Sequence, residues 1–281
     1  LKFIEFATYN LFNHDDDFRK YLSWQLSNTG YGRCQDGDLK YKIQGTRTSG
    51  VSNTSLGNVT IMCALMYMYI TDTDGLNVDN TSLINDGDDC VLIVERKFIK
   101  TVQDTLNPWF LTMGFTLVCE TPVYCLEQIE FCQAHPVHDG QQWIMVRDPV
   151  VALAKDCVSI KPFTKFSEYQ RWLAAVSLGG ISLTGGLPIW QEFYNLCSRI
   201  ADGAKPIKGD PTQETGLSRL SIGMTRRNTP VTHFARISFY KSYGITPDRQ
   251  ILIENHFKKL KYDKIIKGET IKLPNEPIWV D

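Results

Sequence analysis

No apolar run in these 281 residues approaches the roughly 20 needed to cross a bilayer as a helix. The run from Ile61 to Ile70 is ended by Thr71, Asp72 and Asp74, so no membrane span is expected within the sequence. Internal repeats and low-complexity tracts are also missing, which sets aside solenoid and fibrous architectures. A disulfide framework is not indicated. The eight cysteines stand at 34, 63, 90, 119, 125, 132, 157 and 197, several inside apolar runs, which suits reduced, buried thiols and a reducing intracellular compartment. Nor is there a compact zinc motif: Cys119, Cys125, Cys132, His135 and His138 are neighbours in sequence, but their spacings fit none. The chain opens at Leu1 without an initiator Met or a signal-peptide pattern, as though already inside a helix, so an upstream part is expected.

An overall excess of one charge is lacking as well. Lys and Arg number 30 against 31 Asp and Glu, a formal net charge of -1. The balance hides an asymmetry, because residues 1–198 carry 15 basic and 22 acidic groups whereas residues 199–281 carry 15 and 9. An acidic metal site and a basic face for nucleic acid can therefore coexist in one nearly neutral chain.

With 43% hydrophobic and 22% charged residues, the chain can bury the core of one large or two moderate domains. Apolar spacing predicts helices over Leu1 to Phe12, Asp15 to Leu26 and Thr54 to Tyr69, the last capped by Ser52 or Asn53. A hairpin or irregular crossing is expected between Asn28 and Gly45. Another helix is expected from Phe98 to Met113, ended by Gly114, followed by strands at Phe115 to Cys119 and Ile129 to Gln133. Beyond a boundary near Asp156 to Pro162, helices are expected over Phe166 to Val176, Leu187 to Ile200 and Pro247 to Leu260, with interruptions at Gly179-Gly180 and Gly185-Gly186. The pattern is an α+β domain with an antiparallel sheet covered by helices, followed by a mainly helical part. Trp109, Trp172 and Trp190 lie in apolar helical patterns and read as core.

Two segments carry chemistry. Leu83-Ile84 and Cys90 to Val94 read as paired strands around Asn85-Asp86-Gly87, which supplies turn residues, so Asp88 and Asp89 stand at a hairpin tip. Adjacent carboxylates there offer hard oxygen ligands to Mg²⁺ and suit metal-assisted phosphoryl transfer. The second segment runs from Gln44 to Asn58, a flexible loop entering a helix on which Thr54 and Asn58, four apart, share a face. Hydroxyls followed by an amide on that face suit recognition of a ribose.

Together they spell Ser-Gly-x3-Thr-x3-Asn at Ser49 to Asn58, then Gly-Asp-Asp at Gly87 to Asp89. This joint pattern resembles the RNA-directed RNA polymerases of positive-strand RNA viruses, most closely the tombusvirus-like group. MGFTLVCE at Met113 to Glu120, IEFCQAHPV at Ile129 to Val137 and VRDPVVALAKD at Val146 to Asp156 extend the resemblance through most of residues 1–160.

The resemblance implies a partial palm domain over residues 1–156 and a thumb domain over 157–281, with the fingers and the first aspartate strand lying upstream. It implies template-directed transfer of ribonucleotides from nucleoside triphosphates to an RNA 3′-hydroxyl, with Mg²⁺ as cofactor and Mn²⁺ as a substitute. Asp88 and Asp89 would be the catalytic metal ligands. Ser49, Gly50, Thr54 and Asn58 would recognise ribose and nucleotide, Asn58 by sensing the 2′-hydroxyl. Phe131, Cys132 and Gln133 would support the primer, and Lys155, Arg226 and Arg227 would contact RNA. Partners would be template and nascent RNA, nucleoside triphosphates, and viral and host proteins of a membrane-associated replication complex in the host-cell cytoplasm. Without the upstream strand this chain would be inactive alone. Two departures stand out: Val51 where many members carry an acid, and no lysine between Gly114 and Glu120 to protonate pyrophosphate.

Two other readings are open to this sequence. A reverse transcriptase or related palm-type nucleotidyltransferase shares the carboxylates but not ordinarily the Ser-Gly…Thr…Asn helix. A non-enzymatic RNA-binding scaffold would keep the fold and lack the aspartate strand and basic fingers.

Overall fold

The computed structural model describes residues 2–12, 15–26, 29–34, 37, 39–44, 47, 53–159, 163–207 and 216–260. The chain is α+β, with three antiparallel strand pairs and packed helices among the described residues, and its contacts fall into two compact units, residues 1–122 and 123–281.

In the first unit, helices α1 (Lys2–Asn10) and α2 (Asp16–Leu26) precede a hairpin of β1 (Thr29–Arg33) and β2 (Lys40–Gln44). Helix α3 (Thr54–Asp72) follows, then the hairpin of β3 (Thr81–Asp86) and β4 (Asp89–Val94), then α4 (Ile99–Thr112). Helix α3 is apolar enough to be the core element. Its Ile61, Met62, Leu65, Met66, Tyr69 and Ile70 are buried with Leu76, Leu106 and Phe110, and Leu83, Leu92 and Val94 of the hairpin pack on them. Alternation along β3 turns Thr81, Leu83 and Asn85 inward and leaves Ser82, Ile84 and Asp86 exposed, the period expected of a half-buried strand. Tyr69, fully buried, keeps its hydroxyl satisfied by Thr105 at 2.8 Å. Gly114 ends α4 with φ +83°, while the Phe115 N–H reaches back to the Phe110 carbonyl at 3.0 Å, so the stop signal acts as expected.

In the second unit, β5 (Ala134–His138) pairs with β6 (Trp143–Arg147), and helices α5 (Pro149–Asp156), α6 (Phe166–Thr184), α7 (Trp190–Ala201), α8 (Gly216–Leu220), α9 (His233–Tyr243) and α10 (Pro247–Lys259) follow. Val137 and Val146 of the hairpin join Trp172, Leu173 and Val176 of α6, Trp190, Tyr194 and Cys197 of α7, and Phe239, Ile253 and Phe257 in one core. Trp172 and Trp190 are thus core residues, and Trp109 is half-buried against the first unit's core.

Several expectations need correction. Phe115 to Cys119 has no strand, and the strand expected at Ile129 to Gln133 lies instead at 134–138, paired with 143–147. Pro136 and two histidines disguise β5, which also packs its backbone on α9 through His138 N–H to Ser238 Oγ at 2.8 Å. Gly179 and Gly180 do not interrupt α6. They lie inside it because the Tyr194 ring occupies the place a Cβ on Gly180 would take, while Leu217 packs over Gly179. Gly185 is the residue that ends α6. Helix α9, capped by Thr232 Oγ1 accepting the Ala235 N–H at 3.0 Å, was not expected. The two compact units divide between Pro122 and Val123 because the β5–β6 hairpin packs among the later helices.

Candidate active site

The acidic hairpin closes more tightly than its sequence suggests. Asp86 pairs with Asp89, leaving Gly87 and Asp88 as the two loop residues, so Asn85 and Asp86 belong to the strand rather than to the turn. Gly87 has φ +93°, the left-handed backbone that a type II′ turn requires of its first loop residue and that glycine adopts without strain. Asp86, Asp88 and Asp89 are all exposed at the tip.

Asn85 fixes this tip to α3. Its side-chain nitrogen donates to the Val59 carbonyl at 3.0 Å and to Cys63 Sγ at 3.3 Å, while its side-chain oxygen accepts the Gly87 N–H at 2.8 Å. The turn consequently sits against Asn58, and a Cβ built on Gly87 would stand 3.2 Å from Asn58 Cβ. The turn that carries the aspartates and Asn58 of α3, separated in sequence, are therefore neighbours.

A second layer lies beneath that face. Arg47 donates from Nη1 to Asn58 Oδ1 at 2.9 Å and from Nη2 to Glu5 Oε1, forming an ion pair with a fully buried carboxylate. Asn53 Nδ2 also donates to Glu5 Oε1, at 2.9 Å, and the Tyr9 hydroxyl donates to Asn53 Oδ1 at 2.9 Å. Asn53 does occupy the N-cap position of α3, but its side chain makes no cap bond because both ends are engaged in this network. A Cβ on the buried Gly57 would collide with the Arg47 guanidinium and the Glu5 carboxylate, so the absence of a side chain there admits the ion pair. Thr54 is half-buried on the first turn of α3. Ser49 and Gly50 lie outside the described residues.

Beside Asp89, burial pushes the Cys90 thiol up, and the charges of Cys119 and Asp89 add to it, so this sulfur stays a neutral thiol. Among the described residues no three His, Cys, Asp or Glu side chains gather as a complete metal cage. Two adjacent exposed carboxylates nevertheless fit Mg²⁺, which is characteristically held by one or two carboxylates together with water and phosphate oxygens.

In the second unit, Phe131 and Ala134 exchange both backbone hydrogen bonds, at 2.9 and 3.1 Å, around Cys132 and Gln133. These two have φ of 53° and 59°, a type I′ pattern built from non-glycine residues, and their side chains are exposed while Phe131 is half-buried. Gln133 and Lys155 line a cavity of about 210 Å³ with Glu130, Arg147, Asp148, Val151 and Ala152. Lys155 and Arg227 are exposed. Arg226 is instead committed within the unit, donating to Asp139 Oδ2 and to the Gly185 carbonyl, both at 2.9 Å.

The family described as viral RNA dependent RNA polymerase matches residues 4–264. The chain belongs to that family. It is 36% identical over 261 residues to the RNA-directed RNA polymerase of Turnip crinkle virus, covering 92% of this chain and 33% of the relative. The RNA-directed RNA polymerase of Tobacco necrosis virus (strain A) is 39% identical over 265 residues, covering 94% and 36%, and that of Cucumber necrosis virus 39% over 262 residues, covering 93% and 31%. This polymerase-family chain thus spans about a third of the length of these curated relatives. No helix among its described residues is long and apolar enough to cross a membrane.

Sequence reasoning missed Glu5, Arg47 and the tethering role of Asn85. Asn85 had a signal, since a side chain facing inward on β3 next to a turn is poised to bond outward from the strand. Glu5 and Arg47 had none beyond their charges, being 42 residues apart.

Proposed function

We propose that the chain is the palm-and-thumb part, 1–156 and 157–281, of a polymerase that joins ribonucleotides to an RNA 3′-hydroxyl under the direction of an RNA template. One observation supports this above the others. The exposed Asp88-Asp89 tip is tied through Asn85 and Gly87 to the helix that carries Asn58, so a metal-binding group and a sugar-reading group meet at one place. In this reading Asp88 is the principal metal ligand, Asp89 the second acid, and a further carboxylate comes from outside this chain's described residues. Mg²⁺, with Mn²⁺ as substitute, would neutralise charge on the triphosphate and lower the pKa of the attacking hydroxyl. The protein's own residues orient and select. Ser49 and Gly50, with Thr54 of α3, bind nucleotide and template, and Asn58 hydrogen-bonds the 2′-hydroxyl.

Cys132 and Gln133, projecting from the bend that follows Phe131, support the primer. Lys155 and Arg227 offset backbone phosphates, and Arg226, held by Asp139, braces the segment presenting Arg227. The substrates are nucleoside triphosphates and template and nascent RNA. The setting is a membrane-associated replication complex in the host-cell cytoplasm, shared with other viral and host proteins.

The test is Asp88→Asn in the full-length polymerase that contains this chain. Primer extension is expected to be lost while RNA binding persists, and undiminished synthesis would remove the assignment of Asp88.

A further inference from the structure

Asn58 does not choose its own orientation. A guanidinium has five N–H donors and no acceptor, so the end of the Asn58 amide facing Arg47 must be its oxygen. The 2.9 Å bond from Arg47 Nη1 therefore fixes which way the amide is turned and leaves its NH₂ group as the other end. Arg47 in turn is held on its second nitrogen by Glu5, which is fully buried and steadied by Asn53, itself bonded to Tyr9. Three segments far apart in sequence, α1, the loop at residue 47 and the first turns of α3, converge on one side-chain amide. Gly57 leaves the space in which they do so.

From this geometry, and resting on the ribose-reading role proposed for Asn58, we infer that Arg47 and Glu5 are positioning residues for sugar selection: they lock the Asn58 amide with its NH₂ presented to the 2′-oxygen of the incoming nucleotide. The physical advantage lies in rejection. A freely rotating amide facing a 2′-deoxy sugar turns to water or to another partner and loses little. An amide held from behind keeps its donor aimed at an empty position and bears the cost of an unmet hydrogen bond. Orientation by a charged, planar fork thus turns a contact into a discriminator, and a lysine cannot replace it, because one ammonium does not grip Glu5 and Asn58 in a fixed plane.

The experiment uses the full-length polymerase and measures the ratio of kcat/KM for a ribonucleoside triphosphate to that for its 2′-deoxy counterpart. This ratio is independent of the fraction of active enzyme, so partial misfolding does not disguise the result, and a merely structural role would lower both substrates alike. Asn58→Ala is expected to reduce the ratio. Arg47→Lys, which keeps a cation beside Glu5, is expected to reduce it by roughly three- to tenfold, the worth of one hydrogen bond. Glu5→Gln should move it in the same direction, and Arg47→Lys combined with Asn58→Ala should fall no further than Asn58→Ala alone. Wild-type ratios in both Arg47→Lys and Glu5→Gln, with a reduced ratio in Asn58→Ala, overturn the inference and leave the ribose role standing. A wild-type ratio in Asn58→Ala removes the ribose role itself and this inference with it.

Discussion

Asn85 donates its side-chain amide to the Val59 carbonyl across 26 residues of sequence, and with the other end of the same amide accepts the N–H of Gly87. One polar side chain therefore both shapes the acidic turn and fastens it to the neighbouring helix. Asn85→Ala is expected to cost about 1–2 kcal/mol, chiefly because the Gly87 N–H loses its acceptor while the Val59 carbonyl and Cys63 Sγ each lose a donor. Hydrogen exchange would report it locally, with the Gly87 amide exchanging faster while amides in the middle of α3 keep their protection.

Gly180 offers a test with an unusual sign. Replacing glycine by alanine inside a helix ordinarily stabilises by about 1 kcal/mol. Here the new methyl group would enter the ring of Tyr194, which is fully buried and anchored by its hydroxyl to Asp156 at 2.6 Å. The ring cannot retreat without breaking that bond and the stacking on Trp190. Gly180→Ala is expected to destabilise by about 1–3 kcal/mol through overpacking, read as a lower melting temperature.

Acid should weaken the second unit through Asp139. Burial pushes this carboxyl up, but the N–H groups of Gln142 and Gln141 and the Arg226 guanidinium outweigh burial and hold its pKa below the usual range. Glu127 behaves alike, burial being outweighed by hydrogen bonds from Cys125, its own backbone and Lys241. A depressed folded pKa means stability that is present above the unfolded value and lost as pH falls through the folded one. Denaturation midpoints measured below about pH 4 should therefore fall more steeply for the native protein than for Asp139→Asn. At neutral pH the variant should be the less stable of the two, having lost the Arg226 pair.

Thiol chemistry should separate Cys132 from Cys197. Cys132 is exposed on its turn, whereas Cys197 is buried with its sulfur 3.7 Å from that of Cys157. That contact, and then burial, push the Cys197 thiol well up, leaving almost no thiolate at neutral pH. Brief alkylation of the folded protein followed by peptide mass analysis should modify Cys132 and spare Cys197 until denaturant is added.

The parts of this fold that the sequence announces are those whose signals are local. Helix α3 has its apolar period, the acidic hairpin has two apolar runs and a glycine, and α4 has Gly114 as its stop. The errors arise where distant packing decides. Gly179 and Gly180 look like breakers until Tyr194 and Leu217 fill the space above them, and Pro136 looks like a strand's end until β5 is seen packed on α9. The turn at Gly87-Asp88 reads too wide in the sequence because Asn85 and Asp86 are good turn formers and only pairing with Cys90 and Asp89 puts them in the strand. Around the candidate site, the sequence alone sets Asp88 at a hairpin tip and Thr54 and Asn58 on one helix, and the structure has them there. What orients Asn58 could not, since an ion pair between residues 5 and 47 leaves no periodic trace.

The bend at Cys132 and Gln133 holds a further lesson. Left-handed backbone costs a residue with a Cβ about 1 kcal/mol, a cost that glycine or asparagine would largely avoid. The chain forgoes that ease twice in succession and keeps a thiol and a carboxamide standing outward. Ease of folding alone would have favoured a barer corner, so it is the reach of those two groups, rather than the reversal of direction, that sets this one apart.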